Sequence, residues 1–454
     1  MKRDMTSGPE WKLILLFTLP IMAGNFLQQL YNTVDGIVVG NFVGEDAFSA
    51  VGTCTPLTFL CLGIAIGLSV GVGVVISQYY GAQLHDKLNA AIDTALVLLG
   101  LIGVLIAAVA FLLTPWLLST VLGVPENILG GAVVYFRIYA CGLIFQFLYN
   151  GITAILRSMG DSRATLYFLI VSTTVNIILD LLFVIVFRWN VAGAAIATVL
   201  AQAACCTVSY LYLRRRFRDA CLGRNFDRAL CILMLKLGIP SAIQHSIVSV
   251  GNVALQRLVN GFGPVSIAAY SAGNRIDSFM TVPIMGFQAG LSTFTGQNIG
   301  AGRLDRVRRG LRVTLVMSLT ITLLFGILLY TCAGPVISFF GLSGASHARG
   351  VEQVHFLAFM FLIFATYLCA CGVLQGSGDV LMQSSVTLIA LVIRVAVSYT
   401  GVALGWFGYE AVWVTTPMGW GGAFIVAWLR YFTGGWKKKA VAGKMAGGAA
   451  SDEV

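Results

Sequence analysis

Twelve stretches of this chain are long and apolar enough to cross a bilayer as helices, and that count restricts the fold more than any other feature. A spanning helix needs about 20 predominantly apolar residues. Such runs occupy roughly 13–39, 48–79, 90–113, 130–156, 164–187 and 191–213, then 231–259, 266–296, 311–330, 350–375, 384–405 and 409–432. Charged residues make up only 11% of the chain, against about a quarter in a soluble domain. A soluble globular domain, a disordered chain and a disulfide-framed secreted module are therefore excluded. The expected fold is an all-α integral membrane protein with the lipid bilayer as its solvent. The first run is too long and too polar for a secretory signal, so it counts as the first membrane helix.

The net charge of +10 does not point to nucleic acid. Lys and Arg collect in short segments between apolar runs, without the interleaved aromatics of a nucleic-acid surface. They read as topology signals. If the N-terminus is cytoplasmic, the inner segments hold 21 of the 29 basic residues, and the outer loops hold only Arg188 and Arg349. Both termini are therefore expected in the cytoplasm, with a basic cytoplasmic loop near the middle. Of the ten cysteines most lie inside apolar runs, no paired CxxC motifs occur, and only four His are present. Neither a metal centre nor a disulfide framework is expected.

The central loop splits the chain into halves that repeat one another. Leu19-Pro20 matches Ile239-Pro240, and Asn32 matches Asn252. The segment 77–82, SQYYGA, matches 296–301, GQNIGA, and Arg157-Ser158-Met159-Gly160-Asp161 matches Gln375-Gly376-Ser377-Gly378-Asp379. The offset stays between 218 and 220 residues. Expected boundaries are an N-terminal six-helix lobe over 1–213, a linker loop over 214–230, a C-terminal six-helix lobe over 231–435 and a cytoplasmic tail over 436–454. Two pseudo-symmetric six-helix bundles with parallel orientation are a transporter plan, with substrate between the halves.

Polar residues inside the spans mark the candidate site, because a carboxylate at the bilayer centre costs at least ~2.5–3.5 kcal/mol. Asn25, Gln28, Asn32 and Asp35 fall at helical spacing on one face of the first helix, and His245, Ser249, Asn252 and Gln256 repeat that face in the seventh. Asn176 and Asp180 stack one turn apart in the fifth helix. Counted from the outer ends at ~1.5 Å per residue, Asp35 and Asp180 lie at similar depth. Two carboxylates in one poorly hydrated cavity take up a proton, or hold Na⁺ with an amide and a hydroxyl; the alternative is a static hydrogen-bonded pair. Arg275 and Asp277 in the eighth helix and Arg394 in the eleventh form a second polar set. Pairing Asp277 with Arg275 or Arg394 is the cheapest way to keep those charges in lipid. Pro20, Pro56, Pro240 and Pro283 introduce bend points.

Gly67-Leu68-Ser69-Val70-Gly71 fits G-x-S-x-G, but it lies mid-helix, not in the strand–turn–helix setting that a serine nucleophile needs. Gly63, Gly67 and Gly71 instead form a small-residue face for close helix packing. No Walker A or HExxH motif occurs, and no enzymatic activity is expected.

Together, Leu30-Tyr31-Asn32-Thr33-Val34-Asp35, Asn176-Ile177-Ile178-Leu179-Asp180 and Gly296-Gln297-Asn298-Ile299-Gly300-Ala301 resemble the multidrug and toxin extrusion (MATE) family, over about residues 10–435. The resemblance implies a secondary antiporter of the inner (plasma) membrane that exports cationic, amphipathic compounds in exchange for H⁺ or Na⁺, with no other cofactor and a single chain as the working unit. It implies a coupling-cation site at Asp35, Asn176, Asp180 and Thr198. Neighbouring cavity positions are Gln28, Tyr135 and Asn150, joined by Asn32 from the polar face of the first helix. Two features depart from the family pattern. No acidic residue is expected inside the seventh or tenth helix, so coupling should rest on the N-terminal lobe, and Leu181 stands where many relatives carry proline. The rival reading is a flippase for a lipid-linked sugar or cell-wall precursor, which would use Arg137, Arg257, Arg275 and Arg394.

Overall fold

The computed structural model describes residues 4–42, 45–217 and 225–441, with the side chains of 30–48 outside that description. Its long elements are twelve α-helices: α1 Glu10–Phe42, α2 Glu45–Gly81, α3 His85–Trp116, α4 Glu126–Ser158, α5 Ser162–Asp180, α6 Asn190–Arg216, α7 Arg228–Asn260, α8 Pro264–Gly300, α9 Leu304–Phe339, α10 Gly344–Ser377, α11 Val380–Ala403 and α12 Ala411–Phe432. Each corresponds to one predicted span. Most overrun the apolar window, because polar turns outside the hydrocarbon still form helix: α9 starts at Leu304 and carries Asp305, Arg306, Arg308 and Arg309 before its apolar stretch. Eleven of the helices are long and apolar enough to span a membrane. The exception is α8, whose length suffices but whose run includes Arg275, Asp277, Gln288, Gln297 and Asn298.

Contacts divide the chain into two compact units. In unit 1, Ala23–His245, α4 packs against α2, α3 and α6, and α5 lies on α6. Unit 2 comprises Asp4–Met22 and the chain from Ser246 onward; there α10 packs against α8, α9 and α12, and α11 lies on α12. The second plan repeats the first, helix for helix. Leu101, Leu105 and Leu112 of α3 and Val316, Leu324 and Leu328 of α9 are exposed, as lipid-facing positions must be.

The unit boundaries lie inside α1 and α7, not in the basic loop. Glycines make this possible. A Cβ on Gly67 would stand 2.7 Å from the Ser241 carbonyl carbon, and one on Gly71 would stand 2.6 Å from the Gly238 amide nitrogen, so α2 receives the first half of α7 backbone to backbone. In unit 2, Gly286 of α8 leaves the same room for Met22. Phe17, Ile21 and Met22 share a core with Phe287, Leu291 and Phe294.

The repeated Gly-Asp landmark also acquires a physical role. Gly160 (φ 84°) and Gly378 (φ 91°) take the left-handed conformation that closes α4 and α10. Asp161 then accepts from Tyr212 Oη at 2.8 Å and pairs with Arg216, both on α6. The expected tail from 436 begins as structure: Trp436 is buried, and its ring stacks on Tyr431 at 5.8 Å.

Candidate functional site

The N-terminal candidates with described side chains all belong to unit 1. Asn176 sits one turn before Asp180, the last residue of α5, and both are buried, at 1% and 2% exposure. After Asp180 the helix widens into a π-helical segment over Leu181–Val186. Leu181, the position flagged as a departure, still donates its N–H back to Ile177 and Ile178; proline lacks that donor. Single π-type turns are frequent at functional sites, because the added residue redirects the side chains around it. No sequence signal announced this one.

The widened turn is held in place by α6. Phe183 stacks on Trp189 with centroids 5.0 Å apart, and Gly193 brings α6 within 3.0 Å of the Phe183 carbonyl oxygen, measured from an added Cβ. Thr198 follows on α6, half-buried, with its hydroxyl donating to Ala194 O at 3.0 Å. Donation to its own helix leaves the Thr198 oxygen lone pairs available as acceptors.

Asn176 is the unusual group. Among the described residues neither its Oδ1 nor its Nδ2 has a hydrogen-bond partner, although both are buried. Buried polar atoms are normally paired, and each exception calls for a reason. A carboxamide oxygen, a carboxylate and a hydroxyl on adjoining helices are hard oxygen donors, which suit a small cation. Equally, a protonated carboxyl would give the amide oxygen a donor.

Asn32 and Asp35 fall on the part of α1 whose side chains lie outside the described residues. Gln28 is exposed on α1. Tyr135 is buried on α4, stacked on Tyr139 at 6.4 Å, and Tyr139 in turn donates to Gln146 Oε1 at 3.0 Å. Asn150 donates to Gln146 O at 2.8 Å. Gln146 thus links two parts of this α4 face, a role that the sequence reading had not assigned.

In unit 2, Asp277 forms no ion pair within 4 Å among the described residues, so the expected contact with Arg275 or Arg394 is not made. Arg275 is exposed. Arg394 is half-buried, and its Nε has no partner among the described residues. Helix geometry alone does not fix where such long side chains end.

The tenth helix also differs from expectation. It begins at Gly344, so Glu352 lies more than two turns inside it. Its carboxylate accepts from Tyr409 Oη, while Arg349 stacks over the Tyr409 ring at 4.0 Å and donates to Ser266 Oγ at 2.5 Å. A cavity of about 680 Å³ beside it is lined by His347, Val351, Glu352, His355, Phe356 and Trp413. None of the N-terminal candidates with described side chains lines that cavity.

Comparison with known proteins places this arrangement. A family profile described as MatE matches residues 20–182 and 240–400, one block in each half. The chain is 31% identical over 445 residues to the probable multidrug resistance protein YoeA of Bacillus subtilis, covering 95% of both chains. It is 28% identical to YpnP of the same organism, covering 96% of this chain and 97% of the relative. A FAD transporter of Shewanella oneidensis is 24% identical, with 82% and 81% covered. Among solved structures, an outward-facing multidrug resistance MATE transporter of the MOP superfamily aligns with a TM-score of 0.88 at 24% identity, covering 96% of this chain and 98% of that one. With both halves matched and a relative at 31% identity along nearly the whole length, this chain belongs to the MatE family of multidrug and toxin extrusion transporters.

Proposed function

We propose that this transporter is a cation-coupled antiporter that exports cationic, amphipathic small molecules in exchange for H⁺ or Na⁺ by alternating access. In this reading it works as a single chain in the plasma membrane, with both termini cytoplasmic. The observation that carries the reading is Asn176, a carboxamide buried without a hydrogen-bond partner among the described residues, one turn from the buried Asp180. Leaving such a group unbonded costs about 1–3 kcal/mol. A cation bound between Asn176, Asp180 and Thr198 offsets that cost, as does a proton on the Asp180 carboxyl donating to the amide oxygen. Asp35 completes the set by its place in the family motif. Gln28, Asn32, Tyr135 and Asn150 are the substrate-facing positions, and Arg275, Asp277 and Arg394 hold charge balance in the second half.

Antiport requires that cation and drug lower each other's affinity. The multidrug resistance names of YoeA and YpnP support an organic, chemically varied substrate. The FAD transporter among the relatives makes an anionic dinucleotide the proper contrast.

The test is export of a fluorescent cationic dye from proteoliposomes under an H⁺ gradient or a Na⁺ gradient, each imposed alone. Wild type should export under one gradient, and Asp180→Asn and Asp35→Asn should not. Export of FAD but not dye would refute the substrate class. Undiminished export by Asp180→Asn would refute the coupling site.

A further inference from the structure

Residues 4–10, ahead of and entering α1, form a strap bound to the α8–α9 corner inside unit 2. Gln297 Oε1 accepts the Met5 N–H at 3.0 Å, and Asn298 Nδ2 donates to Met5 O at 3.1 Å. Arg303 Nη1 donates to Thr6 O at 2.7 Å. Arg306 Nη2 donates to Gly8 O at 2.9 Å and to Met5 O at 3.3 Å, while its Nε donates to Asn298 Oδ1 at 3.0 Å. The Glu10 carboxylate takes Arg309 Nε at 3.0 Å and Arg306 Nη1 at 3.3 Å. The Met5 side chain is fully buried. Segments ahead of a helix fray unless tied down, and here five side chains hold four of the seven residues.

The strap leads directly into the part of α1 that belongs to unit 2. That part lies on α8 through Phe17, Thr18, Ile21 and Met22, and α1 passes to unit 1 between Met22 and Ala23. The change comes two residues after Pro20, where the missing N–H gives the helix a bend point. The second half repeats the device. Asn225 N–H and Asp227 N–H, just before α7, donate to Asp93 Oδ2 at 3.2 Å and Thr94 Oγ1 at 3.0 Å in unit 1. The first half of α7 then lies on α2, and α7 changes unit at His245, past Pro240.

We propose that residues 4–10 are a latch, which must come off the α8–α9 corner before the first half of α1 can leave α8, and which thereby sets how often that half of α1 is released. This rests on the alternating-access reading, in which α1 moves. Arg303 and Arg309 are exposed and are the points of release, whereas Arg306 and Asn298 are buried and hold the corner itself together. A contact made in one state and lost in the other shifts the equilibrium by its own free energy.

Two measurements on the full chain in proteoliposomes test the latch. Thr18 is fully buried against Gly290, so Thr18→Cys reports whether α1 lies on α8. Its alkylation by a water-soluble maleimide is read at that peptide by mass spectrometry, with Met22→Cys as a second reporter in case the first perturbs packing. Arg303→Ala with Arg309→Ala should raise the alkylation rate about tenfold, the effect of losing charge-assisted bonds that hold only the latched state. The double Lys variant should fall between the two. An unchanged rate in the Ala pair overturns the proposal. In the second arm, Thr6→Cys with Arg303→Cys is bridged by a short bis-thiosulfonate reagent. Transport should stop and should return on reduction, and full transport by the bridged protein overturns the proposal. If wild type moves no substrate under either gradient, the antiport reading fails, and the alkylation arm still decides the latch.

Discussion

Asp379 accepts a hydrogen bond from Arg430 Nε at 2.7 Å, fastening the end of α12 to the corner between α10 and α11. Asp161, 218 positions earlier, does the same for α6 through Tyr212 and Arg216. Each aspartate follows a glycine in the left-handed conformation, so the chain reverses and the carboxylate is presented in one step. Both acids are nearly buried, and removing one leaves an uncompensated cation. Asp379→Ala and Asp161→Ala should each lower stability by about 1–3 kcal/mol, discounted because the arginines are partly exposed. The unfolding midpoint of detergent-solubilised protein should fall in both variants, and unchanged midpoints would show that the corners hold without the pair.

The glycines of α2 give a steric contrast. Gly67→Ala would drive a methyl into the Ala242 backbone, whereas an added Cβ on Gly130 of α4 meets nothing within 4 Å among the described residues. Gly67→Ala should therefore reduce the yield of folded protein. Gly130→Ala should be neutral or stabilising by up to about 1 kcal/mol, since the helix loses less backbone entropy on folding. Size-exclusion profiles of the two variants make the comparison, and equal behaviour would argue against direct contact of α2 and α7.

At Asn176 stability and transport should move in opposite directions. Asn176→Leu replaces a buried amide that has no partner among the described residues with an apolar group of similar volume, so thermal stability should hold or rise by about 1 kcal/mol. Gradient-driven export should fall at least about tenfold if one ligand to the coupling cation is lost. Retained export in a stable variant would remove Asn176 from the coupling site.

Tyr409, between α11 and α12, should titrate late. Burial first, then its hydrogen bond to Glu352, pushes the phenol up to about 12, against the opposing pull of Arg349. A folded-state value raised above the unfolded value near 10 stabilises the fold in full below about pH 10, and that share is lost as the pH rises to about 12. The difference in phenolate absorbance between wild type and Tyr409→Phe reads this titration directly. Glu352→Gln should move it toward about 10, and a titration left in place would mean that burial alone sets it.

Local sums carried much of the fold into view. Twelve apolar runs became twelve helices because bilayer crossing depends on the composition of some twenty neighbouring residues and little else. The repeat was visible for the same reason: Gly160-Asp161 and Gly378-Asp379 are short motifs at a fixed offset. Asn176 and Asp180 stood out because helical spacing stacks them on one face wherever the helix goes. The π-helical turn after Asp180 was not legible, since Leu181–Val186 is an ordinary apolar segment by composition and its widening depends on how Phe183 meets Trp189 and Gly193. The expected pairing of Asp277 failed in the same way, because long side chains on different helices meet only where packing brings their tips together.

By itself, then, the amino-acid order determined the medium, the number of spans, the duplication and the residues too polar to be there without a reason. Tertiary structure alone decided which unit each half of α1 and α7 joins, and what Met5 finds 292 positions away at Gln297. Hydropathy and helical period are properties of neighbours along the chain. The choice between packing surfaces depends on glycines such as Gly71 and Gly286 leaving room on a distant helix, and no local window contains both partners.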